Sequence, residues 1–183
     1  MGFHTYDPSN ADALEDPSRY EYASIDELLA LFEPHGTVTD LGSGTGFYTD
    51  DVAPYAEKVY AVDVQKEMHE RYREKGLPEN VECVTAEMSD LPFDDASIDC
   101  AFSTMTYHEF ASDAALDELA RVVTPGGLVG IVDWTRNGTG NEGPPTSERY
   151  TLDDALTAFE GGDFEVVHAD ERRETFVLSA RRI

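Results

Sequence analysis

Three glycines occupy five consecutive positions within the stretch TVTDLGSGTGFYTD, which runs from Thr37 to Asp50. Gly42, Gly44 and Gly46 follow a short apolar run, and residues without a Cβ let a backbone turn tightly and approach a bound molecule closely. A strand-to-helix connection that binds nothing would need only one glycine. The cluster therefore predicts a ligand-binding turn.

Two carboxylates near this turn indicate what the ligand is. Asp40 precedes Gly42 by two residues, where a negative charge disfavours phosphate and favours a group with cationic character. Asp63 ends the run VYAVD, and an acid at that point of an α/β fold typically accepts hydrogen bonds from ribose hydroxyls. The dinucleotide pattern G-x-G-x-x-G is not met, because Phe47 stands at its third glycine. A ribose without phosphate, joined to a positive group, describes S-adenosylmethionine.

A second set of chemically active side chains lies in the stretch TMTYHEF, where Tyr107, His108 and Glu109 are adjacent. An imidazole that titrates near neutral pH can act as a general base. We expect Glu109 to orient His108 or to bind a polar substrate, and Tyr107 to complete the catalytic set. The alternative is that His108 caps a helix or packs on the cofactor. No Cys/His cluster has the spacing of metal ligands, so no metal site is predicted.

Alternating strands and helices must position these residues. Apolar runs predict strands at 37–41, 58–64, 80–85, 97–104 and 126–134. Helical patterns occupy 24–32, 65–76, 113–123 and 151–162, and a further helix is expected between the first strand and about Pro54. This alternation is typical of βαβ units in a parallel sheet, which binds ligands beyond the carboxyl ends of its strands. Two further strand runs within residues 163–182 are too close in sequence to be parallel, so we expect a C-terminal antiparallel hairpin.

The length of 183 residues predicts a single domain over residues 1–183. Residues 1–23 are polar and aromatic, and we expect them to form an N-terminal arm or lid over the cofactor. Residues 136–149 form a long Gly/Pro-rich loop, which is predicted to lie on the substrate side. Asp133 and Trp134 end the fifth strand at the same edge, where Trp134 is either a wall for a flat substrate or plain packing. The aromatic residues of the arm include His4, Tyr6, Tyr20 and Tyr22.

Charge limits the possible partners. The chain has 38 acidic and 13 basic residues, a formal net charge of −25, which repels nucleic acid and anionic lipid. The acids are spread along the chain, as in proteins of salt-loving archaea, so the acidity indicates the habitat rather than the substrate. No apolar run reaches the roughly 20 residues that span a bilayer, and no secretory signal is visible. We expect a cytoplasmic monomer or homodimer without nucleic-acid or membrane partners.

Four blocks of the sequence together resemble class I S-adenosylmethionine-dependent methyltransferases. These blocks are VTDLGSGTGFYTDDVA, VYAVDV, VTAEMSDLPFDDASIDCAFS and ELARVVTPGGLVGIVDW. They are most similar to the type 11 methyltransferase-domain group, which includes small-molecule and quinone-precursor enzymes. The resemblance implies a Rossmann-like, doubly wound, seven-stranded sheet whose last strand is inserted antiparallel. It also implies methyl transfer from S-adenosyl-L-methionine to a small-molecule acceptor.

The resemblance further implies a set of cofactor-binding residues, namely Asp40, Gly42, Ser43, Gly44, Gly46, Asp63, Val64, Glu87, Met88 and Ser103. The glycines would bracket the methionine and ribose portions, while Asp40 and the backbone of Ser103 would meet the methionine amino group. Asp63 would accept from the ribose hydroxyls, and Val64 would pack against adenine. Glu87 stands where the family usually has an aspartate that contacts the adenine amino group.

Two other functions fit part of this pattern. A nicotinamide-dependent oxidoreductase is disfavoured by the shortened glycine motif and by Asp40. A non-catalytic S-adenosylmethionine-binding or scaffold protein would keep the same glycines, because these report on binding only. Methylation of nucleic acid is disfavoured by the charge, and methylation of proteins by the little chain that lies beyond the core.

Overall fold

A seven-stranded sheet forms the centre of the computed structural model, which describes residues 6–183. The strands are β1 (Thr37–Leu41), β2 (Lys58–Asp63), β3 (Val81–Thr85), β4 (Cys100–Thr104), β5 (Leu128–Trp134), β6 (Phe164–Glu171) and β7 (Thr175–Arg182). Their order is β3-β2-β1-β4-β5-β7-β6. Strands β1 to β5 pair in parallel, whereas β7 runs antiparallel to both β5 and β6. The predicted Rossmann-like fold with its antiparallel hairpin is confirmed.

Helices cover both faces of this sheet. They are α1 (Ile25–Phe32), α2 (Phe47–Val52), α3 (Lys66–Lys75), α4 (Tyr107–Phe110), α5 (Asp113–Val122) and α6 (Leu152–Glu160). Side-chain caps fix the starts of α1 and α6. Ser24 Oγ accepts from the N–H of Glu27 in α1, and Thr151 and Asp154 form a reciprocal capping box on α6. In the part of the chain that the structure describes, no helix is long and apolar enough to cross a membrane.

The strands are buried because each face of the sheet carries an apolar layer. All five residues of β4 are buried, which explains why its sequence is a continuous run rather than an alternation. On one face, Phe32 of α1 stacks on Phe102 at a ring separation of 4.9 Å. On the other, Phe159 of α6 packs against Phe164 at 5.3 Å. Burial of one such ring contributes about 1.5–3 kcal/mol.

Two predicted strands are shorter than expected at their starts. The run 97–104 becomes regular only at Cys100, because Ile98 forms an isolated bridge to Val123 and the Asp99 carboxylate accepts from the N–H of Thr37 at 2.7 Å. The run 126–134 begins at Leu128, because Gly126 has a φ of 87° and belongs to the preceding turn. Both shortenings lie at the amino ends of the strands, whereas the candidate site lies at their carboxyl ends.

Candidate functional site

The glycine turn follows β1 and is fastened to β2. The N–H groups of Gly42 and Ser43 both donate to the carbonyl of Val62 at 2.9 Å. Gly42 has a φ of 81°, and a Cβ there would strike the side chain of Thr106. The positive φ and the close side chain of Thr106 therefore both require glycine at this position.

Gly46 has a different role from the one expected. It is the N-terminal cap of α2 with a φ of 82°, and a Cβ there would run into the ring of Tyr72. It lines neither of the two cavities described below. Its place in the motif therefore reflects packing between α2 and α3 rather than contact with a ligand.

Asp63 is held in place by two backbone amides. Its Oδ2 accepts from the N–H of Gly44 and its Oδ1 from the N–H of Gln65, both at 2.8 Å. The carboxylate is 9% exposed, and burial raises its pKa although these N–H donors counteract the effect. The acid at the end of β2 and the glycine turn thus form one rigid unit, with carboxylate lone pairs left over for a ligand.

Two buried polar atoms beside this unit lack a hydrogen-bond partner among residues 6–183. Asp40 Oδ2 accepts from the hydroxyl of Thr49 at 2.6 Å, but Asp40 Oδ1 makes no hydrogen bond within that part of the chain. The hydroxyl of Ser43 is likewise buried and unpaired. Burial raises the pKa of Asp40 to about 7. Unpaired buried polar groups cost about 1–3 kcal/mol each, so both atoms are suited to a polar ligand.

Two adjoining cavities open at the carboxyl ends of the parallel strands. The larger has a volume of about 750 Å³ and the smaller about 280 Å³. Both are lined by Gly42, Asp63, Thr106 and Glu109, so they form one continuous cleft. The larger cavity also includes Asp40, Ser43 and Gly44, whereas the smaller one includes Val64, Glu87 and Met88. The cleft lies where the strand order reverses between β1 and β4.

The N-terminal segment covers the larger cavity with two short 3-10 helices, Pro8–Glu15 and Pro17–Glu21. Glu15 Oε1 accepts from the hydroxyl of Thr45 at 2.5 Å, which ties the segment to the glycine turn. Of the aromatic residues expected in the arm, Tyr6 and Tyr22 line the cavity, whereas Tyr20 donates to Asp51 and does not. His4 and the rest of residues 1–5 lie outside the described residues.

Arg19 is a cavity residue that the sequence analysis missed. Its Nη1 donates to the carbonyl of Leu14 at 2.7 Å, and its guanidinium lies 5.1 Å from the rings of both Phe47 and Tyr48. The available signal was that Arg19 is the only basic residue besides His4 among residues 1–23. It places a positive charge near the Asp40 carboxylate, inside a largely acidic protein.

His108 is paired with a buried carboxylate. The backbone N–H of His108 donates to Asp133 Oδ2 at 2.6 Å, and its Nδ1 lies 3.0 Å from Asp133 Oδ1. Burial disfavours the imidazolium, but the charge and hydrogen bond of Asp133 outweigh it, so the pKa of His108 is raised. His108 and Glu109 line the larger cavity, with His108 Nε2 4.0 Å from Glu109 Oε1. Asp133 rather than Glu109 therefore orients the imidazole.

The pKa of the Glu109 carboxyl group is also raised. Its carboxylate is mostly enclosed between the two cavities, and burial raises its pKa to about 7, while the positive charge of His108 acts in the opposite direction. Near neutral pH this group can accept or donate a hydrogen bond. The expectation that it faces a polar substrate is consistent with this position.

Besides Gly46, two predicted site residues, Tyr107 and Ser103, do not line the cleft. Tyr107 is 1% exposed and packs in the core, with ring separations of 5.6 Å to Phe110 and 6.0 Å to Phe159. It begins α4 and faces the core, away from the cavity that His108 lines, so it is removed from the catalytic set. Ser103 donates its hydroxyl to the carbonyl of Leu41 at 2.8 Å and is fully buried. The next residues, Thr104 to Thr106, line the cavity instead.

The loop at 136–149 folds back on Trp134. The Arg149 side chain is buried and donates to the carbonyls of Pro144 (2.8 Å), Thr135 (3.3 Å) and Glu142. Its guanidinium lies 5.4 Å from the ring of Trp134, which is also 4.8 Å from the ring of Tyr22. Trp134 is thus both packed and part of the cavity wall, together with Glu142, Gly143, Pro144, Pro145 and Glu148 of the loop.

The fold, the glycine turn and Asp63 at the end of β2 together define the class of S-adenosylmethionine-dependent methyltransferases. The chain belongs to the methyltransferase-domain family, whose sequence pattern matches residues 39–131. The cofactor of this class is S-adenosylmethionine, as the resemblance implied. Within residues 6–183, no group of three or more His, Cys, Asp or Glu side chains is arranged to hold a metal ion.

Individual relatives agree with this assignment. A crystal structure of an S-adenosylmethionine-dependent methyltransferase from Aquifex aeolicus is 32% identical, with a TM-score of 0.88 over 98% of this chain and 100% of that one. An uncharacterised methyltransferase-like protein of Schizosaccharomyces pombe is 34% identical, over 60% of this chain and 42% of its own length. An uncharacterised methyltransferase of Mycobacterium bovis is 35% identical, over 66% and 53%. The chain spans about half the length of these two curated relatives.

Proposed function

We propose that this chain transfers the methyl group of S-adenosylmethionine to a small-molecule acceptor, with His108 as the general base. The observation that carries the proposal is the His108–Asp133 pair, which is buried and opens on the larger cavity next to the glycine turn. When bound, the cofactor supplies an electrophilic methyl group on a good leaving group. The work left to the protein is to position the reactants, exclude water and remove a proton.

The cofactor is assigned to the continuous cleft, with its methionine end at the glycine turn. Asp40 Oδ1 is suited to the ammonium group, since it is a buried carboxylate oxygen without a partner. The Ser43 hydroxyl and the Arg19 guanidinium are suited to the methionine carboxylate, because both line the same cavity and can donate hydrogen bonds. Gly42 and Gly44 leave room for the ligand to approach the backbone.

The adenosine end is assigned to the smaller cavity. Asp63 lines both cavities and is suited to the ribose hydroxyls. Val64, Met88 and Phe110 provide apolar walls for a base, and Glu87 at the rim could accept from its amino group. The shared lining by Asp63 explains how one ligand can occupy both cavities.

Proton removal follows from the geometry of the imidazole. Asp133 holds His108 Nδ1, so the protonated Nδ1 faces the carboxylate and Nε2 can accept a proton from the acceptor. The imidazolium that forms lies between the carboxylates of Asp133 and Glu109. A base held in this way contributes about 10²–10⁴-fold to the rate.

The test combines turnover with cofactor binding. A metabolite extract and labelled S-adenosylmethionine are supplied to the wild type, to His108→Asn and to Asp133→Asn, and the formation of S-adenosylhomocysteine is measured. We expect both variants to lose about 10²-fold or more in turnover while calorimetry shows unchanged cofactor affinity. Undiminished turnover by His108→Asn would refute the base assignment.

The other two functions predict different results. A non-catalytic binding protein would bind S-adenosylmethionine in the calorimeter but form no methylated product with any fraction of the extract. An oxidoreductase would bind NAD in the same experiment. Asp63→Asn is a further control, because we expect it to weaken cofactor binding while keeping a side chain that can still accept from Gly44.

A further inference from the structure

We infer that the methyl acceptor is a nitrogen nucleophile, an amine or a nitrogen heterocycle, and that the site rejects acceptors with carboxylate or phosphate groups. This inference rests on the proposed function and specifies its substrate class. It is based on one observation: the imidazole of His108, which can accept a proton, lies in a cavity wall that otherwise presents carboxylates.

The wall of the larger cavity around His108 is negatively charged. Glu109, Glu142 and Glu148 line it, and Asp133 lies directly behind the imidazole. Glu148 is close enough to raise the pKa of His108, although less than Asp133 does. An anionic acceptor would meet these charges in a partly enclosed site, where water screens them poorly.

Among the described residues, no lysine or arginine lines this side of the cavity. Among the described residues that line the larger cavity, Arg19 is the only arginine or lysine, and it lies on the glycine-turn side near Asp40. Arg149 is nearby but does not line the cavity. Its guanidinium donates to the carbonyls of Pro144, Thr135 and Glu142, and its charge acts on Asp133 from outside the cavity lining.

A second observation points to a ligand that donates a hydrogen bond. The side chain of His108 is only 8% exposed, and its Nε2 makes no hydrogen bond to residues 6–183. Glu109 Oε1, the carboxylate oxygen beside it, is 4.0 Å away. With Nδ1 held by Asp133, Nε2 is the ring nitrogen left to accept an N–H or O–H group from a substrate in the cavity that His108 lines.

The charge balance of the reaction favours nitrogen over oxygen. The nitrogen lone pair forms the new C–N bond, the sulfur keeps the electron pair of the C–S bond, and the N–H proton passes to His108 Nε2. Positive charge is present on the acceptor or on the imidazole throughout, and the carboxylates of Glu109 and Asp133 stabilise it. A neutral hydroxyl is a weaker nucleophile and has to give up its proton before or during the attack, which builds negative charge on its oxygen beside these carboxylates.

The experiment measures binding by the fluorescence of Trp134, the single tryptophan of the chain, which lies in the cavity wall. With S-adenosylhomocysteine bound and salt held constant, the protein is titrated with benzylamine and benzimidazole, and separately with benzoate and phenyl phosphate. We expect the nitrogen probes to bind about tenfold tighter than benzoate or better. Equal or tighter binding of either anion, or no response to the nitrogen probes, would overturn the inference.

Charge variants of the loop make the test specific. Glu142→Gln combined with Glu148→Gln should weaken benzylamine binding about fivefold and leave benzoate binding no weaker. Glu160→Gln is the matched control, since Glu160 is an exposed acid at the end of α6 that lines neither cavity. If the control changes benzylamine affinity as much as the double variant does, the carboxylates of the cavity wall do not cause the preference, and the inference fails.

The inference and the proposed function fail in distinguishable ways. If calorimetry detects no S-adenosylmethionine binding, the proposed function is refuted whatever the probes do. If the cofactor binds and His108→Asn abolishes turnover, but the methylated product of the extract is a carboxylic or phosphoric ester, only the acceptor class is refuted. A methylated amine or heterocycle as the product supports both.

Discussion

Replacing Asp40 by asparagine is expected to stabilise the cofactor-free protein while weakening cofactor binding. Asp40 is buried, and burial raises its pKa from 3.8 to about 7. A carboxyl group whose pKa is higher in the folded than in the unfolded state favours folding most at low pH. This contribution is lost as the pH rises through the folded value. Asparagine occupies nearly the same volume, carries no charge and can still accept from the hydroxyl of Thr49.

The size of the effect follows from the two pKa values. The interval from 3.8 to about 7, at about 1.4 kcal/mol per pH unit, corresponds to about 4 kcal/mol of stability lost between pH 4 and pH 8. Asparagine does not ionise, so the Asp40→Asn variant escapes this loss and should be the more stable protein at pH 8. A hydrogen bond to a charged group contributes about 1.5–3 kcal/mol, so its affinity for S-adenosylmethionine should fall about 10- to 100-fold.

The assay is urea unfolding of both proteins at several pH values, with calorimetric titration of S-adenosylmethionine at the same pH values. Below pH 7 the wild type should lose cofactor affinity by up to about tenfold per pH unit, because Asp40 must release its proton, whereas the variant should not. Asp90→Asn is the control, an exposed acid with an expected change within about 0.5 kcal/mol. If wild type and variant depend on pH in the same way, Asp40 is not the titrating group and the reasoning is refuted.

Two further predictions concern packing. Gly46→Ala forces a Cβ into the ring of Tyr72, whereas at Gly76, which also has a positive φ, an added Cβ would meet nothing within 4 Å. Gly46→Ala should therefore lower the melting temperature clearly more than Gly76→Ala. Similar losses in melting temperature would mean that backbone strain alone matters. Arg149→Lys removes part of the hydrogen bonding to the loop carbonyls. Because the guanidinium lies 5.4 Å from the ring of Trp134, Arg149→Lys should shift the fluorescence emission of Trp134 to longer wavelength without changing the affinity for S-adenosylmethionine. An unshifted emission spectrum would show that the lysine still holds the loop.

The strands and the glycine turn could be predicted because their signals are local. An apolar run buried on both faces, such as β4, is visible without knowledge of its neighbours. Asp63, the acid at the end of β2, could be placed because the pairing of β1 with β2 brings it to the glycine turn. The four-residue helix α4 was not predicted, since one turn has no periodicity to detect.

The parts of the site that depend on contacts distant in sequence could not be predicted. The partner of His108 is 25 positions away, and only the packing of β5 beside β4 brings Asp133 to it. Adjacent residues in TMTYHEF looked like one catalytic group, but a helical turn sends Tyr107 into the core and His108 to the cavity. The position of Arg19 likewise depends on how residues 8–21 lie over the glycine turn.

The placement of β7 has a consequence for how the molecule is made. Although it comes last of the seven strands in sequence, β7 lies between β5 and β6, and its residues from Thr175 to Ala180 are all buried. During synthesis β5 therefore keeps an unpaired, apolar edge until Thr175–Arg182 has left the ribosome, even when the complete cofactor cleft has already been translated. We expect nascent chains that stop before Thr175 to need a chaperone, and to aggregate through that edge without one.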